Sequence, residues 1–130
     1  MPLNLHSRNR PLGPLVRPYE PDDVILYALG VGAGFSDLEY CYEKRLKVIP
    51  TFAAAMIFDL FFEAVKAAEL NPEGILHGEQ ELLFHNPIPV EGTLTADARI
   101  THIVDKGEDR GALVRVESDT SHSTRQKLFT

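Results

Sequence analysis

No part of this 130-residue chain restricts its fold more than the stretch from Pro50 to Leu70. It is rich in Ala, Leu, Met, Glu and Lys, the residues that lose least on entering a helix. Pro50 suits the opening of a first turn, Thr51 is placed to cap its free amides, and Asn71-Pro72 supplies a stop. The stretch therefore predicts one helix, about twenty residues and ~30 Å long. Phe52, Met56, Ile57, Leu60, Phe61, Phe62, Ala64, Val65 and Ala68 cover most of its circumference. Asp59, Glu63, Lys66 and Glu69 recur at spacings of three and four and form a single polar stripe. Those charges argue against a membrane span of the same length. A helix this apolar has to be wrapped on most sides, and the chain after it carries the pattern of a sheet.

Length and composition bound the rest. One domain is expected over residues 1–130, large enough for a real core and too small for two. A formal charge of −6 disfavours nucleic acid and anionic membrane as partners. With Cys41 as the one cysteine no intrachain disulfide is available, and a reducing, intracellular setting is the expectation. Residues 1–17 lack the apolar core of a secretory signal, and Lys-Leu-Phe-Thr at the carboxyl end is no peroxisomal tag, so a cytoplasmic location is expected.

Residues 1–21 hold Pro2, Pro11, Pro14, Pro18 and Pro21 and predict an extended arm rather than a regular element. Asp22 or Asp23 then caps a short helix carrying Val24, Ile25, Tyr27, Ala28 and Leu29, which runs into Gly30-Val31-Gly32-Ala33-Gly34. A nucleotide fingerprint needs a strand before its glycines, and here a helix precedes them, so a helix end and turn is the better reading. Leu38 to Glu43 alternates apolar and acidic residues and predicts a short strand. After the long helix, residues 74–84, 92–104 and 111–120 predict three more strands, separated by proline- and glycine-rich turns. In the middle one Leu94, Ala96, Ala98, Ile100 and Val104 share a face; in the last Ala112, Val114 and Val116 do. Such alternation with hairpin-length loops is an antiparallel meander with one buried face, so the class is α+β, a sheet wrapped around a helix.

Five segments in order carry a resemblance: Tyr27-Ala28-Leu29-Gly30-Val31-Gly32-Ala33-Gly34, Ile49-Pro50-Thr51-Phe52, Leu76-His77-Gly78-Glu79-Gln80, Pro87-Ile88-Pro89 and Asp105-Lys106-Gly107. Together they resemble the amino-terminal hotdog half of the MaoC-like, (R)-specific enoyl-CoA hydratases, the hydratase-2 unit of peroxisomal multifunctional enzyme type 2. The resemblance implies a hotdog fold, an acyl-CoA or enoyl-CoA ligand, and a second hotdog domain or subunit, identical or different, beside this one. It implies no cofactor beyond the coenzyme A of the substrate thioester. It also implies a further strand after Lys127-Leu128-Phe129-Thr130, leaving the last strand truncated.

In that family an Asp and a His in an Asp-x-Asn-Pro-x-His signature belong to the other half. Here Glu69 and Gly74 flank Asn71-Pro72, and Phe84 and Pro89 flank Asn86-Pro87, so neither pair provides the acid and base. No catalytic residue is assigned to this chain. The resemblance implies that His77 and Gly78 line the acyl-CoA site; on chemistry alone His77 reads as a half-buried strand histidine satisfied by a neighbour. It implies that Lys106 meets the CoA moiety, as an ammonium facing phosphates, and that Phe52 and Met56 double as core and acyl-chain lining. Cys41 reads as structural, and His85, His102 and His122 show no metal-ligand spacing. Two other readings fit the same residues: a non-enzymatic acyl-CoA-binding hotdog, and a hotdog thioesterase using Asp59 or Glu63 of the central helix.

Overall fold

A computed structural model describes residues 3–130. Its sheet has four antiparallel strands in the order β1 (Pro11–Tyr19), β2 (Gly92–Asp105), β3 (Ala112–His122) and β4 (Lys127–Phe129). Phe84 adds a single bridge to Phe129 beyond β4. The helices are α1 (Pro21–Gly30), α2 (Leu38–Cys41), α3 (Phe52–Met56) and α4 (Asp59–Ala67).

The long helix of the sequence is broken. Between α3 and α4 the bonding tightens, with Leu60 N donating to Ile57 O and Phe61 N to Phe58 O, both at 3.0 Å and three residues apart. No proline or glycine lies there, so the cause is tertiary: each piece serves its own part of the core. Phe52, Ala53 and Met56 pack with Tyr19, Val24, Ile88, Leu94, Leu128 and Phe129. Leu60, Ala64, Ala67 and Ala68 pack with Leu12, Ala96, Ala98 and Ile100, alanine against alanine, which lets α4 lie close on β2. Ile57, at the break, touches both groups. Nor does Thr51 cap α3; its own backbone is helical and its hydroxyl bonds the Tyr27 hydroxyl at 3.0 Å. The helix also stops short of Asn71, since Glu69 turns left-handed at φ +54°.

Two other elements differ from expectation. Residues 11–19 form an edge strand rather than an arm, with Pro11 opposite Arg99 and Tyr19 opposite Gly92. An edge tolerates prolines because one side of it needs no amides. Ahead of it, Asn4 meets the turn just past α4, its N donating to Ala68 O and its Nδ2 to Glu69, and Asn9 N donates to Ile100 O on β2. Leu38 to Glu43 begins as a helical turn, α2, closed by Tyr42 N donating to Leu38 O at 2.9 Å; Leu38, Cys41 and Tyr42 are also spaced as one helical face.

Of the expected meander, the pairing of residues 92–104 with 111–120 is found, as β2 against β3. Leu94, Ala96, Ala98 and Ile100 are buried on one face of β2. An irregularity between Ile100 and His102 then shifts the parity, so Ile103 turns to the core and Val104 is exposed. On β3, Val114 packs inward while Val116 and Ala112 are exposed. Lys127–Phe129 is itself a strand, with Thr120 opposite Phe129.

Candidate functional site

Residues 75–83 form no strand, contrary to the sequence pattern. β4 is only three residues long and offers a ladder just to Leu83, Phe84 and His85: Leu83 and Thr130 exchange both backbone bonds at 2.9 Å, and His85 N donates to Leu128 O. His77 therefore sits in exposed, irregular chain, and its imidazole lies over Phe61, with centroids 6.4 Å apart and planes 26° from parallel. Phe61 in turn meets Phe58 at 5.7 Å and Phe62 at 5.6 Å, and Phe58 meets Phe62 at 5.5 Å. Phe58 and Phe62 are each half exposed, and Leu76 beside His77 is almost fully so. The result is an aromatic shelf at the helix break that the domain's own core leaves uncovered. Gly78 is open: a Cβ there would meet nothing within 4 Å, so no close approach inside this chain requires a glycine.

The other expected site residues lie elsewhere. Phe52 and Met56 are buried at 3% and 6% exposure, Phe52 between the rings of Tyr19 and Tyr27, and neither belongs to the shelf. Lys106 is exposed in the β2–β3 turn, where its amide donates to Gly111 O and its carbonyl accepts from Arg110 Nε. Asp59 pairs with Arg17 at 2.8 Å and Glu63 with Lys66 at 3.2 Å, all partly exposed. Two carboxylates already matched to cations are poorly set up for acid/base work.

Cys41 is a free, partly exposed thiol. His85, His102 and His122 bond Thr130, Thr101 and the Glu91 carbonyl, and no metal-binding cluster occurs among the described residues. The glycine cluster ends α1, with Ala33 N donating to Ala28 O and Gly32 at φ +108°. Both Asn-Pro pairs are structural: Asn71 Oδ1 accepts from Glu73 N, and Asn86 Nδ2 donates to Lys127 O at 2.7 Å.

Sequence reasoning missed a cleft of about 650 Å³ between residues 46–50 and 84–90, with Leu46, Val48, Phe84 and Ile88 among its lining. Only the Pro87-Ile88-Pro89 segment hinted at it. One wall is pinned by the Tyr19 hydroxyl, which donates to Pro89 O at 2.6 Å. Burial pushes the Tyr19 phenol up to about 12, and the Glu91 charge adds to the shift.

The domain model described as "MFE-2 hydratase 2 N-terminal domain" matches residues 18–130. The chain belongs to that family. It is 36% identical over 125 residues to "Probable enoyl-CoA hydratase 2" of Dictyostelium discoideum, covering 92% of this chain and 42% of that protein. Among solved structures it matches full-length peroxisomal multifunctional enzyme type 2 from Drosophila melanogaster with a TM-score of 0.67 and 28% identity, over 88% of this chain and 21% of that one. A MaoC-like dehydratase from Phytophthora capsici shares the fold at TM-score 0.69 and 24% identity, over 96% of this chain and 45% of that one. The fold is the hotdog expected from sequence. This chain spans less than half the length of each of these three proteins. No helix among the described residues is long and apolar enough to cross a membrane.

Proposed function

We propose that this chain is the substrate-holding half of an (R)-specific 2-enoyl-CoA hydratase and that the acid and base belong to a second hotdog domain or subunit. The observation that carries the reading is the uncovered shelf of Phe58, Phe61, Phe62 and His77, a surface suited to an acyl chain, in a member of the hydratase-2 family. The two Asn-Pro pairs, both spent on turn and strand contacts and both without the flanking Asp and His, support the division of labour.

In the reaction, water adds across the 2,3 double bond of an enoyl thioester. A base on the second half takes a proton from water as its oxygen attacks C3. An acid delivers a proton to C2 as the enolate-like intermediate collapses. This half holds the thioester where those groups reach it, and positioning alone changes rates by orders of magnitude. Lys106 gives the exposed ammonium expected to meet CoA phosphates.

The strand edges support attachment of the second half at one of them rather than the other. At one edge Pro11, Pro14 and Pro18 remove amide donors from β1. At the other, Leu83 spends its N–H and C=O on Thr130, so the backbone groups of Phe84 point outward along an open edge beside the cleft.

The test is hydration of crotonyl-CoA by this chain alone and after addition of a hotdog half bearing Asp-x-Asn-Pro-x-His. No turnover alone, with turnover in the mixture above that of the added half by itself, is expected. Turnover by this chain alone contradicts the reading, and binding of acyl-CoA without any gain in the mixture favours a non-enzymatic acyl-CoA module.

A further inference from the structure

We infer that the Arg17–Asp59 ion pair is a positioning element that steadies the first turn of α4, where core packing has already broken the helix, and with it the aromatic shelf, so that it tunes preference for long acyl chains; this rests on the acyl-CoA reading above. The central helix breaks where no residue type demands it, within Ala54-Ala55-Met56-Ile57-Phe58-Asp59. Asp59 is the first residue of α4, and Arg17 lies on edge strand β1, with Nη2 2.8 Å from Oδ2. Among the described residues this is the only side-chain hydrogen bond or ion pair joining α4 to the sheet. Glu63, the other carboxylate that sequence reasoning singled out, pairs with Lys66 inside the same helix and ties α4 to nothing.

The shelf follows Asp59 closely. Phe58 is its neighbour in the chain, and Phe62 lies three residues on, one turn along α4. Beside the pair is a depression of about 540 Å³ lined by Gly13, Pro14, Leu15, Asp59, Leu60 and Phe62, with Glu63 and Lys66 at its polar side. That depression gives the first turn of α4 somewhere to move when the tie is lost. Phe58 and Phe62, half exposed already, move with it. A short acyl group has no need of the shelf and a long one does.

The test compares binding of crotonyl-CoA and dodecenoyl-CoA by calorimetry to the unsubstituted chain and to Arg17→Met, Asp59→Asn and Arg17→Lys. Partly exposed ion pairs couple weakly, so Arg17→Met and Asp59→Asn are expected to weaken dodecenoyl-CoA binding by about two- to five-fold. Crotonyl-CoA affinity stays the same, Arg17→Lys retains most of the long-chain affinity, and hydrogen exchange at residues 58–62 accelerates in Asp59→Asn. Equal losses for both ligands, or none for either, overturn the positioning role while leaving the acyl-CoA reading standing. Failure of the unsubstituted chain to bind either ligand overturns both.

Discussion

Gly92 is the position where a single methyl group has the most to disturb. It opens β2 opposite Tyr19 at φ +141°, a conformation that side-chain-bearing residues rarely adopt. A Cβ there would lie 2.9 Å from His122 Cε1 and 3.0 Å from Cδ2, and closer still to Nε2. The imidazole cannot yield freely: Nε2 donates to Glu91 O at 3.1 Å while Nδ1 accepts from Thr124 N. In Gly92→Ala the backbone strain costs about 1–3 kcal/mol. Displacing the ring loses a hydrogen bond of about 0.5–1.5 kcal/mol. A total of about 2–4 kcal/mol corresponds, for a chain of this length, to a fall in Tm of about 7–15 °C. Thermal unfolding followed by circular dichroism measures it. His122→Ala removes the obstacle, so the double variant is expected to be more stable than the sum of the two single losses by about 1 kcal/mol. A Gly92→Ala variant within about 0.5 kcal/mol of the parent, or strictly additive losses, refutes the interlock.

Tyr19 holds its proton to about pH 12, so the unfolded chain gives up its phenol proton first, near pH 10, and stability falls as pH rises between the two values. Absorbance titration is expected to show one late tyrosine, and Tyr19→Phe to remove it. Lys127 Nζ at 2.8 Å, and then the Thr130 hydroxyl, hold the Asp119 carboxyl below the usual carboxylate range. Its contribution is therefore full above about pH 4 and lost as pH falls through the folded-state value. The pair is exposed, so Asp119→Asn should flatten the acid limb of the Tm–pH curve by no more than about 1 kcal/mol. Thr120 Oγ1 is buried with no hydrogen-bond partner among the described residues, so Thr120→Val is expected to stabilise by about 1 kcal/mol in denaturant melts.

The β2–β3 pair was legible because its core face repeats every second residue from Leu94 to Ile100, whereas the strands expected at 38–43 and 74–84 are absent. The parity change that exposes Val104 was not, since an irregularity between Ile100 and His102 leaves the apolar alternation looking continuous. Prolines concealed β1: they argue against a strand until one knows it is an edge. The apolar circumference of residues 52–68 was read correctly, but the break at Ile57-Phe58 comes from packing against two separate parts of the core, which no local propensity encodes. At the candidate site, Phe52 and Met56 were read as core and lining together and lie buried in the core, whereas Phe58, Phe61 and Phe62 form the shelf against His77. Helical periodicity distinguished neither set, because nearly every face of the stretch is apolar.

The proposed division of labour has this half hold substrate without transforming it. The most direct measurement is calorimetric titration of the chain with a medium-chain enoyl-CoA, followed in the same cell by the absorbance of the enoyl thioester. Saturable binding with unchanged absorbance is the expected result. Loss of that absorbance would place a catalytic pair in this chain and contradict that division.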